Sequence, residues 1–462
     1  MLSVERGKPV HCVEMVTGKN LTGTLVLSDE RICAQIYSYD DFFQIDGELP
    51  IILRSETNDI VTLHSNLTTV PGTTFRSEPP RRTFRQDITS YLAVVGHDPW
   101  TAEDRIKRVT FRVKHSQKLM RHEAKMKAIG RSRFPDEEHL TIFTDRAEGL
   151  TLKAGYSATY GMEFDAPRDL WLVFEIEFDE PRRIEEYILH VWDYVGFLSF
   201  CLGTKLKPSE IRVDRLSTEE IKFAFQKNQT YFGDHAVHYI WPDAEVDAHD
   251  FWLGGAPVHS WDDNELSSLR ACLVVWMNRA TRWKKCYALM TTSFGLKNVI
   301  SVERLINACR WFEDTPIAQS KDALSDDDID AISDTATQKA LELGYPPRIC
   351  KRIKGAIKRI KAETAKERFT RLLGMIEMKF GTGILPKDAV EHLERATQFR
   401  GKIAHSHFTP KNDTEARAFL KSTLAMEALC YLLLALDLPI PEPGIKRIAA
   451  NPSVRDYRLA YD

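Results

Sequence analysis

The period of the hydrophobic pattern changes once along this chain, near residue 184. Before that point the apolar positions come in short β-branched or aromatic runs at 21–27, 32–37, 51–53, 60–63, 109–113, 140–143 and 170–178, separated by Gly, Pro, Asn and Asp. Runs of this kind predict strands, and a series of them predicts a β-sandwich or a distorted barrel. Residues 116–129 are the exception, because Leu119, Met120, Met126 and Ile129 fall at helical spacing.

From Ile184 onward the spacing is helical. Residues 185–202 are apolar almost all round, with Tyr187, Ile188, Val191, Trp192, Val195, Leu198 and Phe200, and predict a buried helix. Residues 203–260 mix aromatic and polar positions and read as a connector. After Trp261 every segment predicts helix. A long one is capped by Asp262 and Asp263 and runs to Met290; others follow at 301–312, 326–343, 347–362, 366–380, from near Pro386, and at 414–436. Pro439, Pro441 and Pro443 then predict an extended tail. The expected fold class is α+β: a β-rich domain over 1–180, a helix and connector over 181–260, an all-α bundle over 261–440 and a tail over 441–462.

Composition narrows the function classes. A chain of 462 residues suits two to four domains, and 43% hydrophobic with 28% charged residues is globular usage. No window holds the roughly 18 uninterrupted apolar residues of a membrane span, and residues 430–438, the most apolar run, read as a buried helix end. The stretch from Met1 to Lys8 has no apolar signal region, so no export and a cytoplasmic location are expected. The 8 cysteines form no Cys-x-x-Cys pair and read as reduced core thiols. A net charge of -3 makes any nucleic-acid surface a local one.

The chemistry concentrates at the end of the helix that begins near Pro386. Val390, Leu393, Ala396, Thr397, Ile403 and Ala404 give it an apolar side, and Thr409-Pro410 stops it, so Arg400, His405 and His407 fall in or near its last turn. Its plain alternative is a solvated helix end whose cations complement the macrodipole. His405 lies about 140° round the helix from Arg400, and His407 would lie within about 20° if the helix continued that far.

Arg400 followed after four residues by His405 resembles the motif of HEPN nucleases, all-helical RNA-cutting domains. The β-rich first half, the aromatic helix Trp192-Asp193-Tyr194-Val195-Gly196-Phe197-Leu198 and a helical second half bearing the motif together resemble the ApeA-like HEPN proteins, which act in bacterial anti-phage defence. That resemblance implies a metal-independent RNA endonuclease that halts the infected cell. Arg400 and His405 would be catalytic, with His407 as the alternative, and the two motifs of a homodimer would share one cleft. The expected partners are RNA, a second copy of the chain and a phage-derived trigger, with no membrane, metal or cofactor. One departure stands out: active HEPN domains usually carry a polar residue after the arginine, often Asn, Asp or His, where this chain has Gly401. A non-catalytic nucleotide- or partner-binding module is therefore the second reading.

For internal attack by a 2′-hydroxyl the residue types fit, since a histidine can move protons near neutrality and an arginine offers a planar fork to a phosphate. RNA contacts are expected from Lys402 and from Lys351, Lys354, Lys358 and Lys361, which interleave with Ile349, Ile353, Ile357 and Ile360; an ordinary solvated face explains the same pattern. Other constellations are weaker. His235 and His238 with His249 or Asp250 lack a completing ligand, Gly18-Lys19-Asn20 lacks the rest of a phosphate loop, and Asp326-Asp327-Asp328 with Asp330 reads as a helix start.

Overall fold

The computed structural model describes residues 7–15, 17, 21–28, 30–39, 41–77, 80–131, 135–160, 167–231, 233–240, 253–359, 361–405 and 409–461. They form two compact units, one from Met1–Val195 with Leu206–Asp247, the other from Gly196–Lys205 with Ala248–Asp462.

The strands of the first unit are β1 (Val10–Glu14), β2 (Thr22–Leu27), β3 (Ile32–Tyr39), β4 (Ile51–Ser55), β5 (Ile60–Thr68), β6 (Gly72–Ser77), β7 (Pro80–Gly96), β8 (Ile106–Val113), β9 (Thr141–Ala147), β10 (Leu150–Tyr160), β11 (Pro167–Arg182), β12 (Pro208–Asp214) and β13 (His235–Tyr239). Burial alternates along β1 to β4, so Cys12, Leu25, Leu27, Ile32, Ala34, Ile36, Ile51 and Leu53 all point into one core. The order β3-β2-β1-β4-β5-β7, with β3 pairing back to β7, closes these strands into a barrel around that core. Of the two architectures expected, the barrel is the one that forms, and closure hides the edges that an open sheet would expose.

Strand β7 is the spine of the unit. One edge pairs with β3 and then β13, the other with β6 and then β5. Through β13 the same sheet runs on beyond the barrel as β13-β12-β8-β11-β10-β9. Phe111 of β8 and Phe174 of β11 carry Tyr194 at ring distances of 5.6 and 5.2 Å. Tyr194 belongs to α3 (Tyr187–Leu202), which follows α1 (Glu123–Arg131) and the one-turn α2 (Glu137–Leu140) and precedes α4 (Thr218–Gln226). The helix expected over 116–129 is one 3-10 turn and then α1. Residues 203–260 are less of a connector than their sequence suggests, because β12, α4 and β13 all belong to this unit. Their few apolar residues did not announce strands; backbone pairing of β12 with β8 and β13 holds them.

The second unit is all helix: α5 (Asp263–Asn278), α6 (Ala280–Gly295), α7 (Val302–Asp314), α8 (Asp326–Glu342), α9 (Pro347–Arg359), α10 (Ala365–Phe380), α11 (Ala389–His405), α12 (Asp413–Ala435), α13 (Glu442–Ile448) and α14 (Pro452–Tyr461). The α+β expectation therefore holds. Helix α12 is long and apolar enough to cross a membrane, but 83% of its apolar window is buried, and it serves as the axis on which α7, α10, α11 and α14 pack. The one long helix expected to reach Met290 is two, broken at Arg279. That guanidinium lies 5.3 and 4.4 Å over the rings of Trp276 and Trp283 and donates to the Leu434 carbonyl at 2.7 Å. The expected extended tail is a correction too: Pro443 sits in the first turn of α13, where a missing N–H costs nothing, and Val454 and Tyr457 of α14 are fully buried. All eight cysteines are free thiols, and seven are buried.

Candidate functional site

Helix α11 buries Ala389, His392, Leu393, Ala396 and Phe399, a stripe at 3-4 spacing, with His392 Nδ1 2.8 Å from the Tyr457 hydroxyl. Thr397 and Ala404, expected on the apolar side, are exposed instead. Arg400 follows Phe399 at the border of that stripe, so its stem starts from packed helix while its head stays 40% exposed. There it forms an ion pair with Glu313. The helix ends at His405, about 7.5 Å along its axis from Arg400. The His405 side chain and the whole of His407 lie outside the described residues.

Glu313 is the residue that the sequence reading missed. It stands with Asp314 at the carboxy-terminal end of α7, where the helix dipole disfavours anions. Cations gather there accordingly: Arg400, and Lys285 at 3.9 Å from Asp314. Because both partners are well exposed, the Arg400–Glu313 pair contributes only about 0–1 kcal/mol, so its effect is to orient the guanidinium. No spacing within one helix could reveal a partner on α7.

Beside the pair lies a cleft of about 80 Å³ lined by Cys309, Phe312, Glu313, Arg368, Phe369 and Arg400 among others. Its floor is aromatic, with the Phe312 and Phe369 rings 5.2 Å apart. Burial pushes the Cys309 thiol up to about 12, so it stays neutral, and burial likewise pulls Arg368 below its ordinary value. The arrangement can hold one anionic oxygen group against guanidinium donors at low local dielectric.

Residues 17–251, just over half of the chain, match the family described as ApeA N-terminal domain 1. The chain belongs to that family. It is an ApeA-like protein of the anti-phage defence type, and the matched stretch covers nearly all of the β-rich unit, including most of the segment that had read as a connector. No curated protein and no solved structure matches it.

In this ApeA-like chain the remaining expected residues do not gather at Arg400. Helix α9 packs on α8, with Cys350 buried and Ile349, Ile353 and Ile357 half-buried, so the apolar stripe forms as expected. Two of the expected cations are already engaged: Lys354 of α9 binds Asp334 at 2.9 Å, and Lys361, beyond the end of α9 at Arg359, binds Asp322 and Asp326 at 3.0 and 2.7 Å. Those carboxylates hold both ammonium groups above their ordinary values. Lys351 is exposed, and the Lys358 side chain is outside the described residues. Lys402 is exposed, its Nζ 5.4 Å from the Phe399 ring. His235 and His238 lie three apart on strand β13, hence on opposite faces, and cannot share a metal. His235 instead sits 3.0 Å from Asp98, where Gly96 leaves room that a Cβ would fill at 2.1 Å from its ring. His249 and Asp250 lie outside the described residues. The acid run at Asp326 does begin a helix, α8, capped by Ser325.

Proposed function

We propose that this ApeA-like protein is a metal-independent RNA endonuclease of the HEPN type, acting in the cytoplasm in anti-phage defence by abortive infection. Its β-rich unit would sense infection, through a phage-derived trigger, or restrain the helical unit. The observation that carries this reading is Arg400, oriented by Glu313 at the rim of a small cleft, on the same helix that His405 ends. Incubating the purified protein with cellular RNA, with and without chelator, tests it. Chelator-resistant cleavage leaving 2′,3′-cyclic phosphate ends is expected, and intact RNA defeats the reading.

One histidine per motif supports a homodimer in which a second His405 supplies the opposite proton transfer. Gly401 is compatible with this. It is exposed, and a Cβ built there meets nothing within 4 Å among the described residues, so its own chain does not require the glycine. Gly401→Ala is expected to stabilise α11 by about 0.5–1 kcal/mol in thermal unfolding. Light scattering should show the same variant dimerising more weakly; unchanged dimerisation would place the two-fold axis elsewhere.

Glu313 gives the binding-module reading one point in its favour, because its carboxylate occupies donors that a phosphate would use. Glu313→Gln separates the two. Loss of orientation should lower cleavage on the order of 10- to 100-fold, whereas a rise above wild type would make Glu313 a block. For the basic helix, Lys351→Glu is expected to weaken RNA binding and flatten its salt dependence more than Lys354→Glu does, since Lys354 is already neutralised by Asp334. Equal slopes in the two variants would return α9 to a solvated face.

A further inference from the structure

The cleft beside Arg400 holds a second guanidinium that the Arg-x4-His motif does not include. Arg368 of α10 donates through Nε to the Ala318 carbonyl at 2.5 Å and lies 4.3 Å over the Phe312 ring. That bond and that ring fix one edge and one face of the group. Among the described residues its terminal nitrogens have no hydrogen-bond partner, and the side chain lines the cleft that Arg400 shares.

Charge around the cleft does not balance. Arg371 is taken up by Glu363, with which it makes two hydrogen bonds of 2.9 and 2.5 Å, and Arg400 is paired with Glu313. Three guanidiniums against two carboxylates leave one positive charge, on the half-buried Arg368 above an aromatic floor. A partly buried cation with unused donors is completed by an anion. The cleft volume, about 80 Å³, leaves room for a phosphate group beside the two guanidiniums.

We propose that Arg368 and Arg400 form a two-guanidinium clamp for one phosphate of a nucleotide chain, with Arg368 a binding residue outside the chemistry. The proposal rests on the reading of Arg400 as a phosphate ligand. In the clamp Arg368 supplies a fork already held by Phe312 and Ala318, so little side-chain freedom is lost on binding.

The test uses the full-length protein and a short 2′-O-methyl RNA without terminal phosphates, which binds but cannot undergo internal attack. Arg368→Gln is expected to weaken its binding about tenfold and to lower the slope of log K against log salt by about 0.7. Arg368→Lys should keep the slope and lose most of the affinity, because charge remains while the fork is gone. Unchanged affinity and slope in a folded Arg368→Gln variant overturn the clamp. Should that variant fail to fold, wild-type affinity in Arg368→Lys overturns it equally. A nucleoside 5′-monophosphate is the second ligand. Arg368-dependent binding that favours the oligonucleotide assigns the site to an RNA backbone, and binding that favours the monophosphate assigns the clamp to a free nucleotide. Cleavage of unmodified RNA is read separately. Wild type that binds through Arg368 without cleaving loses the nuclease reading and keeps the clamp; cleavage with binding indifferent to Arg368 does the reverse.

Discussion

His405→Ala is expected to lower RNA cleavage by about 10²- to 10⁴-fold, the range that one positioned proton-transfer group supplies. Internal attack needs a proton taken from the 2′-hydroxyl and another given to the leaving oxygen, and histidine is the residue type in the motif that is suited to moving protons near neutrality. Arg400→Ala should be comparably inactive, because a guanidinium fork on the non-bridging oxygens acts where charge develops. Neither change should unfold the chain. Arg400 is 40% exposed and its ion pair is a surface one, while His405 is the last residue of its helix. The measurement is the rate of appearance of 2′,3′-cyclic phosphate ends in the presence of chelator, with thermal unfolding as the control. Wild-type activity in His405→Ala beside a dead His407→Ala would move the role to His407. Loss of cleavage with chelator would sink the metal-independent mechanism.

The largest stability effect is expected from Glu427→Ala. Arg304 of α7 and Glu427 of α12 make a two-bonded pair, 2.9 and 2.7 Å, with side chains only 4% and 7% exposed. The third guanidinium nitrogen donates to the carbonyls of Lys297 at 2.6 Å and Val299 at 3.4 Å. Removing the carboxylate leaves that cation buried without its counter-charge, at a cost of about 3–5 kcal/mol. The Arg304→Met, Glu427→Leu double variant should recover most of the loss, since two apolar side chains of similar size leave no orphaned charge. Urea unfolding of both variants checks this. A loss below about 1 kcal/mol in Glu427→Ala would mean that water reaches the pair. Because α7 also carries Glu313, the single variant should loosen the hold on Arg400 as well.

Much of the architecture could be read directly from residue order. Strands β2 to β5 announced themselves as short apolar, β-branched runs; β2 to β4 bury alternate residues, whereas β5 is buried on both faces from Ile60 to His64. Helices α7 and α10 were legible from apolar positions at period 3.6. Strand β7 was not, although it organises the first unit. Its first half, with Arg81, Arg82, Arg85, Gln86 and Asp87, has little hydrophobic signal, and neighbours on both edges fix it through backbone hydrogen bonds. The same holds for β12 and β13.

The candidate site divides along the same line. Sequence alone determined which helix carries both candidate residues, since Arg400 and His405 are neighbours in the chain and a helix keeps near neighbours together. It also determined the change from sheet to helix near residue 184 and the use of cysteines as core thiols. Only the tertiary structure decided that Glu313 orients Arg400, that Arg368 shares its cleft, that Lys354 and Lys361 are already paired, and that the proline-rich end folds into α13 and α14. Each of these joins residues from separate elements, or depends on a packing surface those elements supply. A one-dimensional pattern records the period of each element, but not which face of one element meets which face of another.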